Sequence, residues 1–504
     1  MPADVKKSVG TPLTISPLLT GAVALGLGAA LFAVAQYRLI DWDEGFYALA
    51  SKSVMHGKLL YRDYFYTQTP LLPYVYGAWM EAVGETWESG RLLSVLLTTL
   101  LGVLLFRHIA QLTCSQTAGL LATLLFAGNS YVLTWYPLLK TFALSTLLLF
   151  TAYLCICEVR SRRGLFLGGL FLALTIDTRL YLAATLPVFL LCIFARKVHF
   201  PKLRTAYLWF GVGLTTGLVL NLVWLVSDPM VFYFNNLGFH AMRAESGLFI
   251  GSFHQKAAMM LKVFGLYPSA EASGVPFGLL ALLCALYCVR HRTLPGPRVW
   301  PAIFLAAVVI AVSVLPTPTL HQYYGAAVPF LITGAVPMAW EWRAKRTHWR
   351  AAGLLLIVYL APLPFVIPRY VRTGTGLIDV KESSNVINHQ ISSVRSISRE
   401  LDKVAAPGEQ VLSYWGAYLF ETHAVPVPGA ENEFSRMMAP RLSAADLKYL
   451  RIRSMEEIEK DLRSGFPSLV VWNQEEKPVD RLLRESGYVG IYRVGRTVIY
   501  RRGQ

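Results

Sequence analysis

Apolar runs punctuate the first three quarters of the chain, and the last quarter changes character. The runs lie near residues 15–37, 92–109, 117–133, 138–157, 165–176, 180–194, 206–226, 276–289, 299–315, 326–340 and 351–367. A helix needs about 20 mostly apolar residues to cross the hydrocarbon core, so the pattern predicts about eleven transmembrane helices. Several runs are shorter than that and must extend to the headgroup layers through terminal Trp, Tyr and Arg. From about residue 374 a polar helical stretch covers 380–404 and ends at Pro407 and Gly408, followed by β-like runs at 410–414 and 468–472. Helical periodicity fills 444–462, and 488–500 alternates around Gly495 as a terminal hairpin would. The expected fold class is a polytopic α-helical membrane domain (1–370) with a small α/β domain (371–504).

Composition agrees with a bilayer. A chain of 504 residues that is 54% hydrophobic and 15% charged is neither disordered, nor a disulfide-stapled mini-protein, nor an ordinary soluble enzyme. Its net charge of +16 would suggest a nucleic-acid partner in a soluble protein, but placement argues otherwise. Alternate loops hold 17 Lys and Arg, from Lys6 and Lys7 through Lys202 and Arg204 to Arg343 and Arg350, against Asp4, Glu158 and Glu341. By the positive-inside rule these loops face the cytoplasm. The expected location is the plasma (inner) membrane, with the N-terminus inside and everything after Pro368 outside. Lys6, Lys7 and an apolar run ending Ala33-Val34-Ala35 also fit a cleaved leader, but the run can span and ten others follow. All six cysteines lie in or beside predicted helices and read as packing residues. No P-loop or dinucleotide fingerprint is present, and no nucleic acid is expected.

The loop 38–91 carries the most chemistry, with five cations, seven acids and many aromatics. In Asp41-Trp42-Asp43-Glu44-Gly45-Phe46-Tyr47-Ala48, Asp43 is the predicted N-cap of a helix with apolar Phe46, Leu49, Ala50 and Val54, stopped by Gly57 and lying along the membrane surface. Carboxylates beside aromatic rings suit a sugar, whose hydroxyls bond to acids while its C–H faces pack on rings. An interfacial aromatic belt and a plain helix cap explain the same residues without a ligand.

The block Asp43-Glu44-x-x-Tyr47-Ala48, then Gly57-x-x-x-Tyr61-x-Asp63 and Thr69-Pro70-Leu71, resembles the GT-C superfamily of membrane glycosyltransferases, in its protein O-mannosyltransferase and aminoarabinose transferase branch. The layout agrees along most of the chain: a long acidic first external loop, about a dozen spans, a His-x-Tyr-Tyr block before a late helix, and an external C-terminal domain. The resemblance implies a donor sugar on a polyprenyl phosphate, an acceptor hydroxyl on a lipid, glycan or protein, and contact with membrane lipids. It implies Asp43 as base or acceptor-orienting residue with Glu44 assisting, and Tyr47, Tyr61 and Asp63 as sugar or acceptor contacts. A single carboxylate without a covalent intermediate implies inversion at the sugar.

The leaving phosphate needs a fixed cation. Candidates are Arg62, Lys140 at the start of a span and Arg179 in a short turn after Asp177, with headgroup snorkelling as the alternative. In His321-Gln322-Tyr323-Tyr324, His321 and Tyr324 are further candidates for the donor phosphate or sugar, and an aromatic belt is the alternative. The stretch 228–262, with Asn235, Asn236, His240, Arg243 and Glu245, could cover the acceptor. Many members of the family carry a charged pair before the first-loop proline, whereas this chain has Gln68-Thr69-Pro70. No cofactor is therefore expected to be required. A divalent metal held by Asp43 or Glu44 with His240, His254 or His321 stays open, though no spacing supports it. Competing readings are a lipid or sugar transporter or flippase, disfavoured by few mid-span charges, and a non-catalytic envelope scaffold.

Overall fold

The computed structural model describes residues 13–158, 161–195, 202–243, 252–267, 274–291, 296–344, 349–373 and 386–503. Each predicted apolar run is helical, but not as eleven uninterrupted crossings. Three helices are long and apolar enough to span alone: α1 (Pro17–Tyr37), after which comes α2 (Trp42–Met55) and α3 (Leu71–Val83), then α4 (Trp87–Leu112), and beyond α5 (Gln116–Ala127) and α6 (Ser130–Trp135), α7 (Thr141–Glu158). A fourth arises if α10 (Leu203–Gly217) and α11 (Val219–Ser227), bent by 58°, are one span; between lie α8 (Arg162–Thr178) and α9 (Leu186–Ala195). The expected count of eleven is thus not reproduced, because breaks split the runs. Gly128 and Asn129 separate α5 from α6, with Asn129 capping α6, and residues 180–185 wind as a 3-10 turn ahead of α9.

The membrane domain continues through α12 (Pro229–Tyr233), α13 (Phe239–Met242), α14 (Phe253–Val263), α15 (Val275–His291), α16 (Trp300–Ser313), a 3-10 turn at His321–Ala327, α17 (Val328–Ala344), α18 (Trp349–Leu360) and α19 (Leu363–Thr373). Its outward residues are apolar, including Leu18, Leu25, Ile357 and Phe365. Such a surface is at rest only against lipid. Helix α1 buries Val23, Leu27, Leu31 and Ala35, one position in four, against its neighbours. Helices α8 and α10 meet through small residues. A Cβ at Gly213 would sit 2.0 Å from the Phe166 carbonyl oxygen, so only glycine permits this approach.

The tail is a mixed sheet covered by helices. Its strands β1 (Gln410–Ser413), β2 (Val425–Pro426), β3 (Leu469–Asn473), β4 (Tyr488–Val494) and β5 (Thr497–Arg502) lie in the order β2-β1-β3-β5-β4. The first three are parallel, and β5 runs antiparallel to β3 and β4. The β4–β5 hairpin turns at Gly495, φ +55°, as the alternation predicts. The polar helix is α20 (Ile391–Val404), and the beginning of its predicted range lies outside the described residues. The predicted helix 444–462 is two, α23 (Ala444–Leu450) and α24 (Met455–Ser464), broken at left-handed Arg451 and restarted by a Ser454–Glu457 capping box. The pattern also missed α21 (Ala417–Phe420), α22 (Glu433–Met438) and α25 (Lys477–Glu485).

The tail closes over α2, which is buried nearly all round rather than resting on the membrane surface. Trp42 stacks on Trp415 at 5.4 Å, and Trp415 Nε1 donates to the Trp42 carbonyl at 2.8 Å. Arg395 bridges Glu88 and Glu421, and Asn432 donates to the Phe65 carbonyl. A Cβ on Gly45 would fall 2.7 Å from Ala417 Cβ and 2.8 Å from Trp415 Nε1. Gly45→Ala is therefore expected to loosen the tail at a cost of about 1–3 kcal/mol. A lower thermal midpoint and faster proteolytic release of the tail would register it.

Candidate active site

Asp41, not Asp43, caps α2. Its carboxylate accepts from the Asp43 amide at 3.1 Å while Glu44 reaches back to the Asp41 amide at 3.3 Å, a reciprocal capping box. That leaves the Asp43 carboxylate in the first turn free to point sideways.

Glu44 faces the opposite way. It is fully buried and pairs in fork geometry with Arg91 of α4 at 2.8 and 2.7 Å. Arg91 also donates to the carbonyls of Ala35 and Arg38, each at 2.6 Å, closing the end of α1. The Leu139 amide donates to Glu44 Oε1 at 3.1 Å. Both oxygens of Glu44 are thus engaged, and it is not among the residues that line the cavity beside Asp43.

The next residue, Lys140, enters the site. Its ammonium lies 2.5 Å from Asp41 Oδ1, 3.1 Å from Asp43 Oδ2 and 2.7 Å from Gln322 Oε1, with its side chain 2% exposed. Burial alone would lower its pKa, but the two carboxylates hold it above its ordinary value, so it stays charged. Lys140, expected as a phosphate contact, here faces two carboxylates and an amide oxygen. The Asp43 side chain remains 31% exposed.

Asp43 opens into a cavity of about 30 Å³, room for about one water, lined also by Tyr47, Thr67, Arg179, His240, Arg243 and Tyr323. Arg179 caps α8 and lies over Phe142 at 4.3 Å, Tyr181 at 5.1 Å and Tyr323 at 5.2 Å. One guanidinium nitrogen donates to Thr141 Oγ1 at 2.6 Å, while its buried Nε has no hydrogen-bond partner among the described residues. A buried cation with an unspent donor beside an open carboxylate is an arrangement that can receive an anion. Burial pushes the Tyr47 phenol well up, so it serves as a neutral hydrogen-bonding group. His240 Nε2 lies 3.0 Å from the Thr67 carbonyl, and burial lowers its pKa to about 4, leaving a neutral ring.

Other expected site residues lie elsewhere. Arg62 pairs with its neighbour Asp63 at 2.8 and 2.9 Å on the surface, and neither lines the cavity. Tyr61 is buried and donates to the Gln68 carbonyl at 2.6 Å. Of the His-Gln-Tyr-Tyr block it is Gln322 and Tyr323, not His321 and Tyr324, that line the cavity. Three residues per 3-10 turn put Leu320 and Tyr323 on one face and send Tyr324 to Thr319 and the Met260 sulfur. Glu245 lies outside the described residues.

Sequence reasoning missed Asp41, Gln322, Tyr323 and Phe434 of the tail, whose ring meets Phe46 at 4.9 Å over the cavity. The Asp-x-Asp spacing could have found Asp41; nothing local signals Phe434. A divalent metal fits poorly. Asp41 and Asp43 already face an ammonium, and among the described residues no three His, Cys, Asp or Glu converge to hold an ion.

Two predictions follow from these charges. Glu44→Ala leaves Arg91 buried without its partner and should cost about 3–5 kcal/mol, read as loss of folded protein in detergent. Beside Asp43 in the tail, burial pushes the Glu433 carboxyl from 4.5 up to about 7, against the pull of its own amide and Arg436. The folded state then holds a proton that the unfolded chain has released, so this contribution is present below about pH 4.5 and lost as pH rises through 7. Relative to Glu433→Gln, the wild type should lose about 3 kcal/mol across that window, read as pH-dependent thermal midpoints.

No family model and no curated protein matches this sequence. Among solved structures, it is similar to ArnT, the aminoarabinose transferase, from Cupriavidus metallidurans bound to undecaprenyl phosphate, with TM-score 0.67 and 14% identity over 96% of this chain and 97% of that chain. The apo state of the same protein gives TM-score 0.66 at 14% identity and the same coverage. The archaeal oligosaccharyltransferase AglB from Archaeoglobus fulgidus, in complex with an inhibitory peptide and a dolichol-phosphate, gives TM-score 0.47 at 12% identity over 96% of this chain and 74% of that chain. Along nearly its whole length, this chain has an ArnT-like fold.

Proposed function

We propose that the protein is an inverting glycosyltransferase that takes a sugar from a polyprenyl-phosphate carrier and passes it to a hydroxyl of a lipid, glycan or protein outside the cytoplasm. The observation that carries this reading is the pairing of an open carboxylate, Asp43, with a buried cation holding an unspent donor, Arg179, in one cavity. The likeness in fold to a protein solved with undecaprenyl phosphate bound supports the choice of donor.

In the proposed reaction the acceptor oxygen bonds to the anomeric carbon from the face opposite the phosphate. The bond from that carbon to the phosphate oxygen breaks, and its electron pair leaves with the polyprenyl phosphate. The acceptor proton passes to Asp43, and the new phosphate charge is met by Arg179 and Arg243. Lys140 fixes the Asp43 carboxylate from behind, and Tyr47 and Tyr323 position the sugar. No step passes through a metal. The bias of Lys and Arg toward the alternate loops supports a cavity on the far side of the membrane from the cytoplasm.

Asp43→Asn should abolish transfer from a radiolabelled polyprenyl-phosphate sugar while leaving expression and membrane insertion unchanged; full activity would sink the mechanism. Arg179→Gln should lower turnover by about 10²–10³-fold. Turnover in detergent, without any gradient, separates this enzyme from a transporter.

A further inference from the structure

A second cavity, of about 670 Å³, opens where the tail meets the bent pair α10–α11. Its membrane-side wall is aromatic: Tyr61 lies edge-on to Trp224 at 5.3 Å and to Phe232 at 5.8 Å. Trp224 belongs to the last turn of an apolar helix, where indoles mark the boundary between hydrocarbon and headgroups. Immediately beyond, Val226 is 80% exposed, Met230 62% and Tyr233 54%, an apolar strip continuous with the lipid-facing surface.

The opposite wall is cationic. Arg62 comes from the first loop, and Lys448 and Arg451 come from α23 and its end. Left-handed Arg451 carries its guanidinium to within 3.4 Å of the Arg62 carbonyl, gathering positive charge from two domains around one opening. Among the described lining residues Asp228 is the one carboxylate, and it is occupied: it caps α12 through the Val231 amide at 3.1 Å and accepts from the Tyr449 hydroxyl at 2.8 Å. Arg62 has Asp63, but among the described residues Lys448 and Arg451 have no ion-pair partner. Three cations converge on a cavity with one spent carboxylate, and its mouth is apolar on the bilayer side.

We infer that this cavity binds the headgroup of an anionic phospholipid from the adjoining leaflet. The phosphate bridges Arg62 to Lys448 and Arg451, and the acyl chains lie along Val226, Met230 and Tyr233. A bridging phosphate would clamp the tail to the first loop, giving the protein a lipid-dependent stability. The cavity shares no lining residue with the one around Asp43.

The test uses the full chain purified in a neutral detergent, with thermal unfolding followed as lipid is added. Phosphatidylglycerol should raise the midpoint, whereas phosphatidylcholine and inorganic phosphate at equal concentration should not. In Lys448→Gln/Arg451→Gln the phosphatidylglycerol needed for half the shift should rise about tenfold or more. Lys403→Gln/Arg463→Gln, which removes the same charge from exposed positions elsewhere on the tail, should respond as wild type. Native mass spectrometry should show phosphatidylglycerol retained by the wild type and the control but not by the first variant. An equal response of both variants, or an equal shift with inorganic phosphate or phosphatidylcholine, overturns the inference.

Discussion

The buried pair between Glu44 and Arg91 holds one end of the bundle together. Desolvating two charges is expensive, and the cost is met here by saturation: the fork is bidentate, and the remaining Arg91 protons go to carbonyls at the end of α1. One interaction thereby fixes the exit of α1, the entry of α2 and the position of α4. Through the Leu139 amide it also fixes the turn before α7, and the adjacent residue is Lys140. The site is assembled at one remove from this pair, since the backbone that places Lys140 opposite Asp41 and Asp43 hangs on Glu44.

This arrangement divides labour among three neighbouring acids that look alike in sequence. Asp41 caps the helix and faces Lys140, Glu44 is locked inside, and Asp43 remains partly open. Successive residues of a helix point about 100° apart, so adjacent Asp43 and Glu44 cannot address the same ligand as a pair. Lys140 pinned between two carboxylates has no spare charge for a phosphate. Arg179, held among aromatic rings rather than by an acid, does.

What could be read from the chain followed the range of the interactions involved. Apolar runs, the capping region of α2, the β4–β5 hairpin and the outlying position of Asp43 rest on local periodicity and were legible. The span count was not, because the Gly128–Asn129 break and the bend between α10 and α11 are stabilised by packing rather than announced by charge. Among the residues lining the cavity, Asp43 is singled out in the sequence through the family resemblance and Arg179 as a charge near the membrane edge. The choice of Tyr323 over Tyr324 depended on a 3-10 turn, and Phe434 comes from a domain nearly 400 residues away in sequence.

That remote ring gives the tail a place in the site. Phe434 meets Phe46 and also Phe239 at 5.8 Å, so three segments distant in sequence share one aromatic roof over Asp43. The roof is the tail-side wall of the cavity beneath, where the tail meets α2. The glycine at position 45, which lets the tail approach without a side chain between, makes that contact tight. The tail is thus part of the wall around Asp43, seated there by the close approach at Gly45.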